Sequence, residues 1–334
     1  MATQTNAPLP DGLEVGGYRI VRKISSGGFS IVYLAEDEHG VQYAIKEYLP
    51  SSLVQRAPGE LEPRVAEASE PTFRNGLRCF FEEGRALARI FHPNVVRVVN
   101  FFRAHGTVYL VMAYERGRSL QELVLRHRRR QQGRTLAERH VLRVFNLAMN
   151  GLREVHANRL LHLDLKPANI YLRLDGTPLL LDFGAARRAL DVQPHKLFPM
   201  YTPGFAAPEL YRRNQQLGPW TDVYGIGASL FGCMAGQPPQ PADQRELEDK
   251  VPAALDAMEG AYSRALLDLV AWCLKLDALE RPQSVFALQR ALRHIEAPVD
   301  DPPRPPSTVG RWLDTLAART ASRRRSGQGV TSPG

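Results

Sequence analysis

HLDLKPAN, residues 162–169, is the stretch that decides how the rest of the chain reads. It sets a carboxylate, Asp164, ahead of a carboxamide, Asn169, with a cation, Lys166, between them. Phosphoryl transfer asks for that combination. It needs in-line positioning, metal neutralisation of phosphate charge and a carboxylate near the attacking hydroxyl. LLLDFG, residues 179–184, follows at a spacing that allows a hairpin. It leaves Asp182 at the end of an apolar strand, where a carboxylate can hold a divalent ion. AAPE, residues 206–209, completes the series. One such match is easily accidental; three in this order are not.

Working outward, the chain divides by texture. Residues 1–15 read as a flexible leader. YRIVRKI (18–24), IVYLAED (31–37) and VQYAIKEY (41–48) are rich in β-branched and aromatic residues and are separated by turn formers, so they read as strands. Residues 50–78 are polar, carry Pro50, Pro58, Pro63 and Pro71, and read as an insert. FFEEGRALARI (80–90) has helical periodicity, and VVRVVNFF (95–102) and TVYLVMAY (107–114) return to strand texture. Beyond Gly117 helices dominate, with NIYLRL and PLLLDF as short strands among them. Strands first and helices after predict an α+β chain with two lobes. PVDDPPRPP, residues 298–306, reads as a stiff linker, and residues 297–334 as a basic, disordered tail.

The bulk numbers set outer limits. With 334 residues, 44% hydrophobic and 23% charged, the chain has the composition of a globular protein. A net charge of +8 permits acidic partners without choosing among them. Cys79, Cys233 and Cys273 are odd in number and far apart, which argues against a disulfide framework or a zinc site and for a reducing compartment. No signal-peptide pattern and no membrane-length apolar run occurs. The expectation is a cytoplasmic protein with no membrane span and no nucleic-acid partner. Arg126-His127-Arg128-Arg129-Arg130 is read as a solvated face.

Over about residues 16–296 the sequence resembles the Hanks-type protein kinase family, in its bacterial Ser/Thr branch. The resemblance implies the bilobal protein-kinase fold, with a small β-rich N-lobe (about 16–114) and a larger helical C-lobe (about 115–296). It also implies ATP and Mg2+, with Mn2+ as the second choice, and protein substrates carrying Ser or Thr acceptors. Carried over residue by residue, Asp164 matches the group that accepts the substrate hydroxyl proton, and Lys166 the lysine that contacts the γ-phosphate. Asn169 and Asp182 match the metal ligands. Lys46 matches the strand lysine on the α- and β-phosphates, and Glu83, rather than Glu82, its helix partner. Thr202 fits a strut beside Asp164. Glu209 and Arg281 fit a buried ion pair, and Asp222 the prop of the catalytic loop. Leu87, His162 and Phe183 fit an apolar column between the lobes. Met112 fits the limit of the adenine pocket, with Ala113 and Glu115 offering backbone groups. Ala44, Val32 and Ser119 complete the nucleotide set.

The glycine loop departs from the family pattern. Where three glycines are expected, the chain has Ser25-Ser26-Gly27-Gly28-Phe29-Ser30. Backbone N–H groups can still cradle phosphate there, because serine is small and Gly28 adds freedom. This loop favours a second reading, a pseudokinase or nucleotide-binding scaffold. A small-molecule phosphotransferase is a third, which Ala207-Pro208-Glu209 and Arg281 disfavour. Regulation is also legible. Leu163 stands where many members carry an arginine that pairs with a phosphate on the activation segment, and residues 185–200 contain no Ser, Thr or Tyr. Activity independent of phosphorylation on that segment is expected.

Overall fold

Alternation of buried and exposed side chains along the N-terminal runs is resolved by antiparallel pairing. In the computed structural model, which describes residues 4–130, 135–183, 201–212 and 215–296, six strands form one sheet. They are β1 (Glu14–Val15), β2 (Tyr18–Gly27), β3 (Ser30–Glu36), β4 (Gln42–Tyr48), β7 (Val98–Ala104) and β8 (Thr107–Ala113), in the order β1-β2-β3-β4-β8-β7. The register pairs Val32 with Lys46 and Lys46 with Leu110. Lys46 therefore sits in mid-sheet.

Between β4 and β7 lie a two-stranded hairpin, β5 (Val54–Gln55) with β6 (Arg64–Val65), and helix α1 (Glu70–Leu87). The insert is thus shorter than 50–78, because α1 starts at Glu70 with Pro71 in its first turn, a position helices tolerate. Helix α1 packs on β7 and β8, and a Cβ on Gly84 would meet Leu110 Cδ1 at 2.6 Å. A larger residue there would require the Leu110 side chain to shift.

The reading of residues 1–15 as a flexible leader is corrected over residues 4–15; residues 1–3 lie outside the described residues. From Gln4 onward the segment is seated on the sheet: Leu9 is 2% exposed and Asn6 is buried. The segment is short of apolar residues, and polar groups described below hold it together with Leu9 and Val15, which enter the core.

The remainder is mainly helical. β9 (Gly117–Ser119), β10 (Ile170–Arg173) and β11 (Pro178–Leu180) form a small antiparallel sheet. Around it lie α2 (Leu120–Arg130), α3 (Glu138–Ala157), α4 (Pro208–Tyr211), α5 (Pro219–Ala235), α6 (Ala242–Arg245), α7 (Val251–Asp256), α8 (Arg264–Cys273) and α9 (Val285–Glu296). Helix α5 is buried without a break from Thr221 to Met234. A helix apolar on all sides belongs in a core, and α3, α8 and α9 pack around it. Within the basic run of α2, Arg128 is half-buried and donates to the Ala235 carbonyl at 3.0 Å, at the C-terminal end of α5. A cation there complements the helix dipole. No helix among the described residues is long and apolar enough to cross a membrane. The tail, residues 297–334, lies outside the described residues.

Candidate active site

A one-turn helix at Pro167–Asn169 folds the chain back after Lys166, so Asn169 returns to Asp164. The Asn169 Nδ2 group donates to the Asp164 carbonyl at 2.9 Å and to Oδ2 of its carboxylate at 3.0 Å. Lys166 Nζ donates to the same Oδ2 at 2.6 Å and to Thr202 Oγ1 at 2.7 Å. Thr202 Oγ1 donates to Asp164 Oδ1 at 2.9 Å. Three side chains thus orient one carboxylate, which remains partly open to solvent.

The loop that carries Asp164 is held from below. Asp222, fully buried on α5, accepts from the N–H of His162 at 2.9 Å and of Leu163 at 2.7 Å. His156 Nε2 lies 2.7 Å from the same carboxylate. Burial would raise the Asp222 pKa, but His156 and the loop N–H groups outweigh it and hold the carboxyl below its ordinary value. Leu163 has φ 62° and Asp182 φ 56°, left-handed conformations that cost a non-glycine residue on the order of 1–3 kcal/mol each. Local hydrogen bonds hold the strained loop, as is common where function requires it. His162 donates from Nε2 to the Leu181 carbonyl at 3.0 Å and packs at a tilt of 39° against Phe183 with ring centroids 4.4 Å apart. Burial lowers its pKa, so it remains a neutral packing group.

Asp182 reaches the site because β10 and β11 pair Ile170 with Leu180, and the Leu181 N–H donates to the Asn169 carbonyl at 2.9 Å. Its carboxylate, half exposed, takes Lys46 Nζ on Oδ1 at 2.9 Å. The Lys46 charge holds Asp182 below the usual carboxylate range. Burial works against the charged form of Lys46, yet Asp182 and Glu83 outweigh it and keep the ammonium above its ordinary value.

The expected Lys46–Glu83 ion pair is not formed: Lys46 turns to Asp182 instead. Glu83 is buried on the sheet side of α1, whereas Glu82 lies at the surface in an i,i+3 pair with Arg85. With no direct cation contact, burial pushes the Glu83 carboxyl up to about 8, partly offset by Lys46.

Two oxygens in the cleft, Oδ1 of Asn169 and Oδ2 of Asp182, have no protein donor among the described residues. They are hard ligands suited to Mg2+, which completes its shell with water and phosphate oxygens. No group of three or more His, Cys, Asp or Glu able to hold a metal occurs among the described residues, so such a site depends on those added oxygens.

The adenine side is only partly as expected. Met112 and Ala44 are paired across β8 and β4. The Ala113 N–H already donates to the Arg97 carbonyl at 2.9 Å, so a base there would have to use the Ala113 carbonyl. The Glu115 carbonyl accepts from Tyr171 Oη at 3.2 Å, and the Glu115 carboxylate pairs with Arg173 at 2.9 Å. The Ser119 Oγ accepts from the Glu122 N–H at 3.2 Å and caps α2, which leaves its hydroxyl hydrogen for a further partner. The loop residues Ser25, Ser26, Gly27 and Ser30 lie in the β2–β3 hairpin, with Ser25 opposite Val32 and Gly27 opposite Ser30, and Gly28 and Phe29 at its tip. Residues 184–200, on which the regulatory expectation falls, lie outside the described residues.

Glu209 and Arg281 form a buried bidentate pair at 2.8 and 3.0 Å. Thr221 Oγ1 adds a bond to Glu209, and the carbonyls of Lys275, Leu276 and Trp220 accept the remaining Arg281 donors. His156, Glu47 and Arg56 escaped sequence reasoning. Glu47 alone left a trace: strand alternation puts it on the face opposite Lys46.

Comparison with known proteins supplies independent findings. The protein kinase domain pattern matches residues 18–294. The serine/threonine-protein kinase Nek3 of Mus musculus is 27% identical over 276 residues, which cover 82% of this chain and 49% of that protein. The probable serine/threonine-protein kinase pknA2 of Bifidobacterium longum is 30% identical over 253 residues, covering 73% of this chain and 30% of the relative. The chain thus spans half or less of these relatives' length. Among solved structures, "PpkA-294 apo form" superposes with a TM-score of 0.73 at 31% identity, covering 85% of this chain and 99% of that one.

Proposed function

Because the chain belongs to the protein kinase family, which its domain match over residues 18–294 shows, we propose that it is a serine/threonine protein kinase using ATP with Mg2+. The observation that carries this reading is the Asp164 carboxylate, oriented at once by Lys166, Asn169 and Thr202. A carboxylate so held can accept the proton of an attacking hydroxyl without reorganising. Lys166 lies between Asp164 and Thr202, so its ammonium meets negative charge developing on a transferring phosphoryl group. Asn169 and Asp182 would hold the metal, whose charge would neutralise the phosphate oxygens. Lys46 leaves Asp182 for the α- and β-phosphates, and Glu83, relieved of isolation, becomes its anionic partner.

We place this activity in bacterial signalling and in the cytoplasm. The similarity to the Bifidobacterium longum protein supports the first, and the buried Cys233 and Cys273, which form no disulfide, support the second. The test is transfer of labelled phosphate from Mg-ATP to a generic protein substrate, followed by identification of the phosphorylated side chains. Phosphoserine or phosphothreonine is expected. ATP binding without transfer would instead support the scaffold reading, which the missing Lys46–Glu83 pair and the serine-substituted loop favour.

A further inference from the structure

The nucleotide loop is held from outside by a part of the chain that the kinase reading does not use. Gln4 Nε2 donates to the Gly27 carbonyl at 3.1 Å and to the Leu49 carbonyl at 2.8 Å. The Gly28 carbonyl accepts from Ser51 N–H at 2.8 Å and from Ser51 Oγ at 3.1 Å. The Phe29 carbonyl accepts from Leu49 N–H at 2.8 Å. Three consecutive carbonyls of the loop tip therefore point toward residues 4, 49 and 51.

Peptide geometry gives this a consequence. In a trans peptide the N–H of one residue points opposite to the carbonyl of the residue before it, and no cis peptide occurs among the described residues. Pinning the carbonyls of Gly27 and Gly28 on Gln4 and Ser51 turns the N–H groups of Gly28 and Phe29, at the hairpin tip, away from those partners. Such a row of N–H groups is what a phosphate requires.

Gln4 is itself built in. Its Oε1 accepts from the Asn6 N–H at 3.1 Å and from Asn6 Nδ2 at 2.9 Å. Asn6 Oδ1 accepts from the Arg56 N–H at 2.6 Å, and Ala7 exchanges two bonds with Arg56. Leu9 N–H donates to Tyr33 Oη at 3.0 Å. Arg56 ends on Glu47, the neighbour of Lys46 on β4. A continuous polar chain thus runs from the lysine strand through the N-terminal segment to the loop tip.

We propose that residues 4–9 form a strap that positions the nucleotide loop for the phosphates of a nucleoside triphosphate, with Gln4 as its positioning residue. The strap does for this loop what the missing outer glycines do not, by setting peptide orientation from outside. The proposal rests on the ATP reading above. Gln4→Glu is the sharpest test, because it keeps shape and the acceptor for Asn6 but sets a carboxylate oxygen against two carbonyls. Binding of Mg-ATP and of adenosine, which has no phosphates, is measured on the full chain, with KM for ATP and kcat alongside. Kd and KM for ATP are expected to rise about fivefold, the effect of losing one net hydrogen bond, while adenosine affinity, kcat at saturating ATP and Tm hold. Gln4→Ala should move the same quantities in the same direction. Unchanged ATP affinity in both variants, with wild type binding ATP, overturns the strap alone. An equal loss for ATP and adenosine also overturns it, since that is general loosening. A wild-type chain that binds no ATP overturns the nucleotide reading, and the strap with it.

Discussion

Replacing Arg56 by methionine should cost far more than its distance from the cleft suggests. The side chains of Arg56 and Glu47 are both fully buried. The Glu47 carboxylate takes Nη1 of Arg56 at 2.5 Å and Nη2 at 2.8 Å, with Tyr33 Oη at 2.7 Å and Tyr109 Oη at 2.9 Å. Burial opposes the charge on Arg56, but Glu47 outweighs it and holds the guanidinium pKa above its ordinary value. Methionine fills similar space and leaves the carboxylate with two neutral donors and no counter-charge. An uncompensated buried charge costs about 3–5 kcal/mol. For a domain of this size that corresponds to a Tm loss on the order of 10 °C. Urea melts read at constant slope, with thermal melts beside them, measure it. Glu47→Leu combined with Arg56→Met removes both charges and should be more stable than Arg56→Met alone. A loss below about 1 kcal/mol in the single variant would refute the reasoning, because a desolvated carboxylate cannot be that cheap. A double variant less stable than the single would refute it too.

Asp164→Asn and Lys46→Met should each nearly abolish transfer while circular dichroism and Tm stay near wild type, since they remove positioning and charge rather than packing. Glu83, pushed up to about 8 from an ordinary 4.5, keeps its proton in the fold where the unfolded chain has lost it. Stability should therefore fall as pH rises between those values, by at most about 1.4 kcal/mol per unit, and level off above. In Glu83→Gln the fall should be absent, so the stability difference from wild type grows with pH across that window. Phosphatase-treated protein, unmodified over residues 182–209 by mass spectrometry, should phosphorylate a separate substrate without a lag; a lag that prior ATP abolishes as phosphate appears on that segment would contradict this. A chain ending at Ala297 should keep its activity and melting temperature, and a large drop in either would show that the tail docks.

What was legible in the sequence was local. HLDLKPAN determines that Asn169 returns to Asp164, because a proline-started turn of three residues leaves it little choice. Strand texture determined the sheet, and strand alternation the opposed faces of Lys46 and Glu47. Glu83 over Glu82 followed from the family resemblance, in which GRALARIFHPNVV sets the helix-to-strand register, and the structure buries Glu83 while Glu82 lies at the surface. Tertiary packing decided the rest. Lys46 and Asp182 are separated by 136 positions, and whether the lysine turns to Asp182 or Glu83 depends on how closely α1 approaches the sheet, which periodicity does not encode. Ser119 also caps α2, a bond that depends on where that helix begins. The N-terminal segment carries few apolar residues and so read as loose. It is ordered by Gln4, Asn6 and Arg56, whose partners lie 23 to 50 positions away. Hydrogen bonds between groups so far apart leave no period in the chain, and they exist only once the sheet has brought both ends together.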